Sequence, residues 1–526
     1  MKHRLKPFFN LGYLWRLVFA IGGGILSSLA FPRENIPVFI FIAVILITLS
    51  VRGLKFLSAS LIGFIAGLAF YLSQIEWLSL YLGPVPWLAL STLEALIFGL
   101  GLGFVALVWN WLDEAITDSN KFKTLVIAGA LAVLWTAREW VANNLPYGGF
   151  PWSRLSQTQS ETYLAKWVFL GGLGLLTFVI ALISCIAALW VVAWWRSREI
   201  PRLPAAALLV AALTLPVIIN PAIGSEHGSL TIGAVQGNAK AGLFSHEKPG
   251  QILQNHLDAT QLLKEKSGYE KLDLVVWPEN ASDLSPFTNR FARDAIEKLV
   301  DEDLKVPLVF GTITERGDNI YNSSIFWKPQ IGPTDWYDKK RPVPFAEFVP
   351  DRDFWYQLAP DLIGLVSRGY TFGERDGIFE AQSSKLGVLI CFEIAIDEIG
   401  RSLVADGAQV ILSQTNNADF GYSDETYQQA AFAKLRAIET GRYVVNVSTV
   451  GVSAIYAPNG STLQQVESFV PAALLADVPL RTSITPAMIF GPWIDLMLNV
   501  LAFALIAAAA GVRLSKNQIR RGGEHS

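Results

Sequence analysis

Along the first 220 residues the apolar positions run on in long unbroken stretches, parted only by short polar loops. A helix crossing ~30 Å of hydrocarbon needs about 20 residues, with a range of roughly 17–25. Stretches near 13–31, 35–51, 54–73, 87–112, 122–142, 166–195 and 203–220 meet that need, and one more lies near 493–513. The pattern therefore predicts eight transmembrane helices, seven before residue 220 and one near the end. Between 228 and 480 the pattern changes. "LTIGAVQG", "LDLVVWPE", "VPLVFGTIT", "NSSIFW", "LGVLICFE", "AQVILSQT", "YVVNVST" and "SAIYAP" are short apolar runs that read as strands. "QILQNHLDATQLLKEK" and "DETYQQAAFAKLRAIETG" between them carry helical spacing. Strands alternating with helices predict an α/β domain, whose ligand sites gather at the C-terminal ends of strands. The chain is thus expected to divide into a membrane domain (1–220), an α/β catalytic domain (221–490) and a last span with a basic tail (491–526).

Charge sharpens this division. Of the 87 Asp, Glu, Lys and Arg residues only 24 fall in residues 1–220, in a chain that is 52% hydrophobic. Lysine and arginine set direction, because short loops rich in them stay in the cytoplasm. Lys2, Arg4 and Lys6, then Arg52 and Lys55, Lys121 and Lys123, and Arg196, Arg198 and Arg202 alternate with a loop at 74–86 that has none. Arg513, Lys516, Arg520 and Arg521 follow the last span. Seven spans is an odd number, so the α/β domain is expected outside the cytoplasm. The basic N-terminus and the apolar run behind it look like a signal peptide, but no A-x-A-like site follows, so a retained first helix is expected. A net charge of -3 argues against nucleic-acid binding. Glu94 and the adjacent Arg138 and Glu139 fall within predicted spans, where ionisable groups face the bundle interior. Pairing with each other and contact with substrate are both open to them. The stretch 143–161, "NNLPYGGFPWSRLSQTQSE", reads either as a re-entrant segment or as a plain loop.

The candidate chemistry lies at strand ends. Glu279 closes "LDLVVWPE", Lys339 leads into "KRPVPFAEFVP", and Cys391 closes "KLGVLIC". The only other cysteine, Cys185, sits in an apolar helix as a small core residue, so no disulfide is expected. A thiol near pKa 8.5 needs a base or a neighbouring cation to react at neutral pH. Histidine is the usual helper, yet His3 and His525 lie in the tails and His227, His246 and His256 stand in no strand-end motif. That scarcity weakens a Cys-His pair and a zinc site alike, and no metal or cofactor is expected. A carboxylate base with a lysine cation remains, although a buried structural thiol beside solvated charges fits the spacing equally.

Taken together, "VVWPENA", "YDKKRPVPFAEFVP" and "GVLICFEIA" resemble the three catalytic segments of the nitrilase (carbon–nitrogen hydrolase) superfamily, in its order Glu, Lys, Cys. "AVQGN", "GGFPWSRLSQ", "SRG" (367–369) and "NNADFG" (416–421), with a large domain between seven spans and a last one, resemble the apolipoprotein N-acyltransferase branch. The resemblance covers essentially the whole chain. It implies an αββα sandwich with Glu279 as general base, Lys339 as transition-state stabiliser and Cys391 as nucleophile. Lys339 is chosen over Lys340 because the family lysine stands eight positions before the glutamate matched by Glu347. Glu347, Glu393 and Phe392 are implied as supporting residues, and Phe244 and Asn416 as binding candidates. Departures are Phe392 where tyrosine is frequent, Phe244 in place of a tryptophan, Asp419 where many members carry tryptophan, and "STVG" (448–451) in place of Asn-Asn-Gly.

The branch's reaction implies a phospholipid acyl donor, a thioester on Cys391 and a diacylglyceryl-cysteine acceptor at a lipoprotein N-terminus. It also implies a monomeric, multi-pass protein of the bacterial inner membrane with its catalytic domain facing the periplasm. The aromatic stretch 348–366, with Phe354 and Trp355, reads as an interfacial lid or as a packed connection. A membrane-anchored amidase or nitrilase using the same three residues is one alternative, although eight spans exceed what an anchor needs. A transporter with an appended binding domain is another, and it would need no thiol.

Overall fold

Helices made of apolar residues on every side bury small residues where they meet. In the computed structural model, which describes residues 12–197, 203–240, 248–366 and 369–523, this governs the N-terminal half. Helices Phe56–Gln74 and Pro84–Ala115 approach closely along Gly63 and Gly67 on one and Gly99 on the other. A Cβ added at Gly99 would lie 2.6 Å from the Ser60 carbonyl oxygen, so backbone packing takes the place of side-chain packing there. Among the described residues five helical stretches are long and apolar enough to cross a membrane: Phe56–Gln74, Pro84–Ala115, Lys123–Asn144, Tyr163–Trp195 and Pro486–Ser515. Three of the predicted spans are realised as shorter apolar helices, Tyr13–Leu29, Val38–Val51 and Leu203–Ile218.

Several buried charged groups inside this unit have defined partners. Arg16 donates to the carbonyls of Ser50 (2.6 Å) and Arg52 (2.9 Å), at the end of helix Val38–Val51. Arg138 and Glu139 do not pair with each other, because adjacent residues on a helix point in different directions. Glu139 accepts from the Leu155 amide (2.8 Å) and Thr177 (2.7 Å) and stands 3.7 Å from Arg154. Arg138 donates to the Tyr71 hydroxyl at 3.4 Å and lies over the Phe98 ring. Residues 151–160 are all buried within this unit.

Two units divide the described chain. The first takes the stretch ending at Glu76, then Pro84–Asn220 and the stretch starting at Phe490. The second takes Pro221–Ile489 together with Trp77–Gly83. Those seven residues, expected in the membrane domain, join the second unit because the Trp77 and Tyr81 rings pack on Phe420, with centroids at 5.1 and 5.6 Å.

The second unit is built on two six-stranded sheets. The first has the order β12-β1-β2-β3-β4-β5, from β1 (Ser229–Gln236), β2 (Leu274–Val276), β3 (Leu308–Arg316), β4 (Asn319–Lys328), β5 (Gly332–Asp338) and β12 (Ala472–Pro479). The second has the order β11-β10-β9-β8-β7-β6, from β6 (Ile378–Ala381), β7 (Ser384–Ile390), β8 (Val410–Thr415), β9 (Val444–Ser448), β10 (Ala454–Tyr456) and β11 (Thr462–Gln465). Strands β1, β2 and β3 run parallel, as do β7, β8 and β9. One continuous core joins the facing surfaces, with Ile232, Val276 and Phe326 from one sheet against Val388, Leu412 and Val445 from the other. Helices Gln251–Thr260 and Arg290–Lys298 cover the outer face of the first sheet around Trp277 and Phe310, and Asp397–Ala405 and Glu425–Thr440 pack on the second. The result is the αββα sandwich. Strands β5, β6, β11 and β12 and the helices at 290–298 and 397–405 were not among the predicted elements. Strand β5 is mostly solvent-facing, which hides it from a search for apolar runs.

Candidate active site

Glu279 follows the short central strand β2, where Trp277 N donates to Val309 O (2.8 Å) and Gly311 N to Pro278 O (3.0 Å). The turn lies directly on β3: a Cβ at Gly311 would come within 2.5 Å of Asn280 N and 2.6 Å of Glu279 Cα. Only a glycine leaves room for the glutamate's backbone. Its buried carboxylate accepts from Asn322 Nδ2 of β4 at 2.7 Å.

Lys339 follows β5, held by its own N–H on Asn322 O (2.9 Å) and by Gly373 N on its carbonyl (2.9 Å). Gly373 packs so tightly on the Asp338 carbonyl that no side chain fits there. The Lys339 ammonium is buried between two acids. It lies 3.3 Å from Glu279 Oε1, and 3.0 and 2.9 Å from the two oxygens of Glu347. Glu347 is itself pinned by Val343 N (2.7 Å) and Asn322 Nδ2 (3.0 Å). Burial works to lower the lysine, but Glu279 and Glu347 outweigh it and hold Lys339 well above its ordinary value. Burial also raises the Glu279 carboxyl, against the pull of Lys339, which makes it a stronger base.

Cys391 stands where β7 breaks into a single 3₁₀ turn, Cys391–Ala395, with φ of 54°. A non-glycine residue held in that region is costly and is maintained only by its surroundings. Glu393 provides the hold. It accepts from Ile390 N (2.8 Å) beside the thiol, and from Tyr337 OH (2.8 Å), Lys340 N (2.8 Å) and Arg341 N (3.2 Å) around the lysine. One carboxylate thus ties the thiol's turn to the lysine's loop. Gln429 Nε2, from helix Glu425–Thr440, reaches Cys391 Sγ at 3.4 Å, and Asn417 Nδ2 joins Gln429 Oε1 and Glu425 Oε2, both at 2.6 Å. Burial pushes the Glu425 carboxyl up to about 8. Burial likewise pushes the Cys391 thiol well above its usual value, with Glu279, Glu425 and Glu347 adding to the rise and Lys339 opposing it. The resting sulfur is therefore a thiol.

A base, a fixed ammonium and a thiol within electrostatic reach of one another suit acyl transfer through a thioester. His256 is elsewhere: it is buried on Trp277, hydrogen-bonded to Ile252 O at 2.8 Å, and pushed down to about 4 by burial. Of the other expected residues, Phe392 is buried beside the thiol. Asn416 accepts from Ala418 N (3.1 Å) and shapes the turn, while its neighbour Asn417 carries the network to sulfur. Trp355 packs edge-on to Phe345 in the lysine loop at 5.3 Å, and Phe354 is 56% exposed. Phe244, Ser367 and Arg368 lie outside the described residues. Asn322, Tyr337, Gln429 and the Trp77–Gly83 segment escaped the sequence reading, since no local motif marks them.

A family model described as the apolipoprotein N-acyltransferase N-terminal domain matches residues 23–186, and one described as carbon-nitrogen hydrolase matches 231–485. Among curated proteins, an apolipoprotein N-acyltransferase of Mycolicibacterium smegmatis is 33% identical, covering 95% of this chain and 86% of its own length. A namesake from Photobacterium profundum is 25% identical and covers 93% of each. An amidase of the nitrilase superfamily from Nesterenkonia AN1 is a similar solved structure, at 18% identity over 49% of this chain and 94% of its own, with a TM-score of 0.37. With a third of its residues shared along almost its whole length, the chain belongs to the apolipoprotein N-acyltransferase family.

Proposed function

We propose that this protein moves a fatty acyl chain from a membrane phospholipid, through a thioester on Cys391, to the α-amino group of a diacylglyceryl-cysteine at a lipoprotein N-terminus. The observation that carries the reading is the buried Lys339 ammonium, held by Glu279 and Glu347 and in electrostatic contact with the thiol. In the first half-reaction Glu279 takes the Cys391 proton as sulfur attacks the ester carbonyl, and Lys339 stabilises the oxyanion. The C–O bond breaks, Glu279 returns its proton to the departing alkoxide, and a lysophospholipid leaves. In the second, Glu279 takes a proton from the attacking amine, the C–S bond breaks, and that proton restores the thiol. One pocket serves both halves because each passes through the same oxyanion. The chemistry is common to hydrolases, but the named relatives along 95% of the chain leave the amidase and transporter readings without support.

The catalytic domain, residues 221–490, lies on the side of the inner membrane away from the basic loops at Arg52, Lys55, Lys121 and Lys123. The protein works as a monomer.

Incubation with phosphatidylethanolamine vesicles followed by intact-mass measurement tests the reading. Wild type gains one fatty acyl mass and Cys391→Ala gains none; a wild type that stays unmodified while lipid is turned over would refute the thioester. Residues 348–366 act as the lid, two short helices (Arg352–Leu358 and Pro360–Leu365) tied by Arg352 to the Val366 and Ile363 carbonyls. Phe354→Ser and Trp355→Ser are expected to slow acylation by vesicle phospholipid, the first through its exposed ring and the second through Phe345. Unchanged acylation kinetics in both would remove the lid.

A further inference from the structure

From the geometry at the end of β8 we infer that Asp419 receives the α-ammonium of the incoming acceptor and holds its nitrogen beside the Cys391 thioester. The inference rests on the acyl-transfer reading above and deepens its second half. Strand β8 pairs in parallel with β7, so Ile390 lies beside Gln414 and the two strands end together. The chain leaving β8 makes a 3₁₀ turn, Ala418–Phe420, two residues past the Asn417 that joins the Gln429–Cys391 network. The turn is held without Asp419's side chain. Ala418 N donates to Asn416 Oδ1, Phe420 N to Asn417 O, and the Phe420 ring is gripped by Trp77 and Tyr81.

The neighbouring carboxylates are all engaged. Glu279 and Glu347 share Lys339 and Asn322, Glu393 accepts from three backbone amides and Tyr337, and Glu425 accepts from Asn417. Asp419 differs: among the described residues its half-buried carboxylate makes no ion pair or hydrogen bond. It also feels the site, since burial and then the charge of Glu279 push it up to about 6, and it in turn raises Tyr81. An anion left without a partner beside other acids favours a cation. The donor ester is neutral at its reacting carbonyl, whereas a terminal amine of pKa about 7.7–8.0 arrives largely protonated. Asp419 therefore offers the acceptor's ammonium a partner; the seated ammonium gives one proton to solvent to become the amine, and Glu279 takes the second as the nitrogen attacks and passes it to the departing thiolate. Asp419 is a positioning residue that touches substrate only after the thioester has formed.

The test separates the two halves in the full-length protein. Acyl-enzyme formation is followed by mass with phosphatidylethanolamine, and transfer from preformed acyl-enzyme is followed with a synthetic diacylglyceryl-cysteinyl peptide. An ion-paired hydrogen bond of ordinary strength predicts that Asp419→Asn and Asp419→Ala need roughly 10–100-fold more peptide for half-maximal transfer. Acyl-enzyme formation should shift by less than about threefold, well short of the ion-pair effect, and Asp419→Glu should recover most of the loss. An N-acetylated peptide, which carries no ammonium, should compete equally well in wild type and Asp419→Asn. Wild-type peptide dependence in Asp419→Asn overturns the inference, as does equal slowing of both halves, which would mark a packing role. Absence of any acyl-enzyme in wild type instead defeats the acyl-transfer reading itself.

Discussion

Lys339→Met is expected to slow acyl-enzyme formation by about 10³-fold or more. Two losses add. The ammonium proposed to meet the oxyanion is gone, and removal of one such donor costs about 10²–10³-fold. Glu279 and Glu347 are then left sharing Asn322 Nδ2, at 2.7 and 3.0 Å, with no cation between them. Like charges that close do not both stay ionised, so one carboxyl takes a proton and Glu279 is weakened as the proposed base. Lys339→Arg should fare little better, because a planar guanidinium does not fit a space shaped around one ammonium with contacts of 2.9 to 3.3 Å. Pre-steady-state release of lysophospholipid measures the effect. A loss of less than tenfold in Lys339→Met would remove the lysine from the chemistry.

Glu393→Gln is expected to cost about 1–3 kcal/mol of stability in the catalytic domain and on the order of 10²-fold in acylation. The carboxylate accepts four hydrogen bonds and donates none, linking Ile390 to Tyr337, Lys340 and Arg341. An amide has a single oxygen, and its NH₂ group would face N–H groups that also donate. At least one buried donor then goes unsatisfied, which accounts for the stability loss. The rate loss follows from geometry, since the turn bearing Cys391 and the loop bearing Lys339 lose their shared anchor, and a shift of about 1 Å there costs roughly 10²-fold. Tyr337→Phe removes one of the four donors and should be several-fold milder. Thermal unfolding and acyl-enzyme kinetics, run in parallel, check both parts. A Glu393→Gln protein that melts and acylates like wild type would show that the link does not position the site.

The proposed lid and the proposed acceptor carboxylate both lie on segments that follow a strand end. Residues 348–366 follow β5 and the Lys339 loop, and Asn417–Phe420 follow β8.

Several features were legible in the linear chain because they are local. Long apolar runs announce bundled helices, since lipid and helix interior alike exclude charge, and five of those runs are long and apolar enough to span. Strands β1, β3, β7, β8 and β9 were visible because burial on both faces leaves continuous apolar runs. The types and order of Glu279, Lys339 and Cys391 were visible too, because each closes or follows a strand within a motif of a few residues. Strand β5 was not, although it delivers Lys339. Its exposed edge carries Thr334, Asp335 and Trp336, with no apolar periodicity to read.

What folding alone decided are the pairings across large sequence separations. Asn322 meets Glu279 from 43 residues away, Tyr337 meets Glu393 from 56, Gln429 meets Cys391 from 38, and Trp77 meets Gln428 from 351. A hydrogen bond between distant residues leaves no periodic trace in either neighbourhood, because its geometry is set by how two sheets and a returning loop pack. The same reason explains why Glu139 chose Arg154 over its neighbour Arg138, and why Asp419 became an open carboxylate. The chemical groups and the elements that carry them belong to the one-dimensional chain, and their partners belong to the packed core.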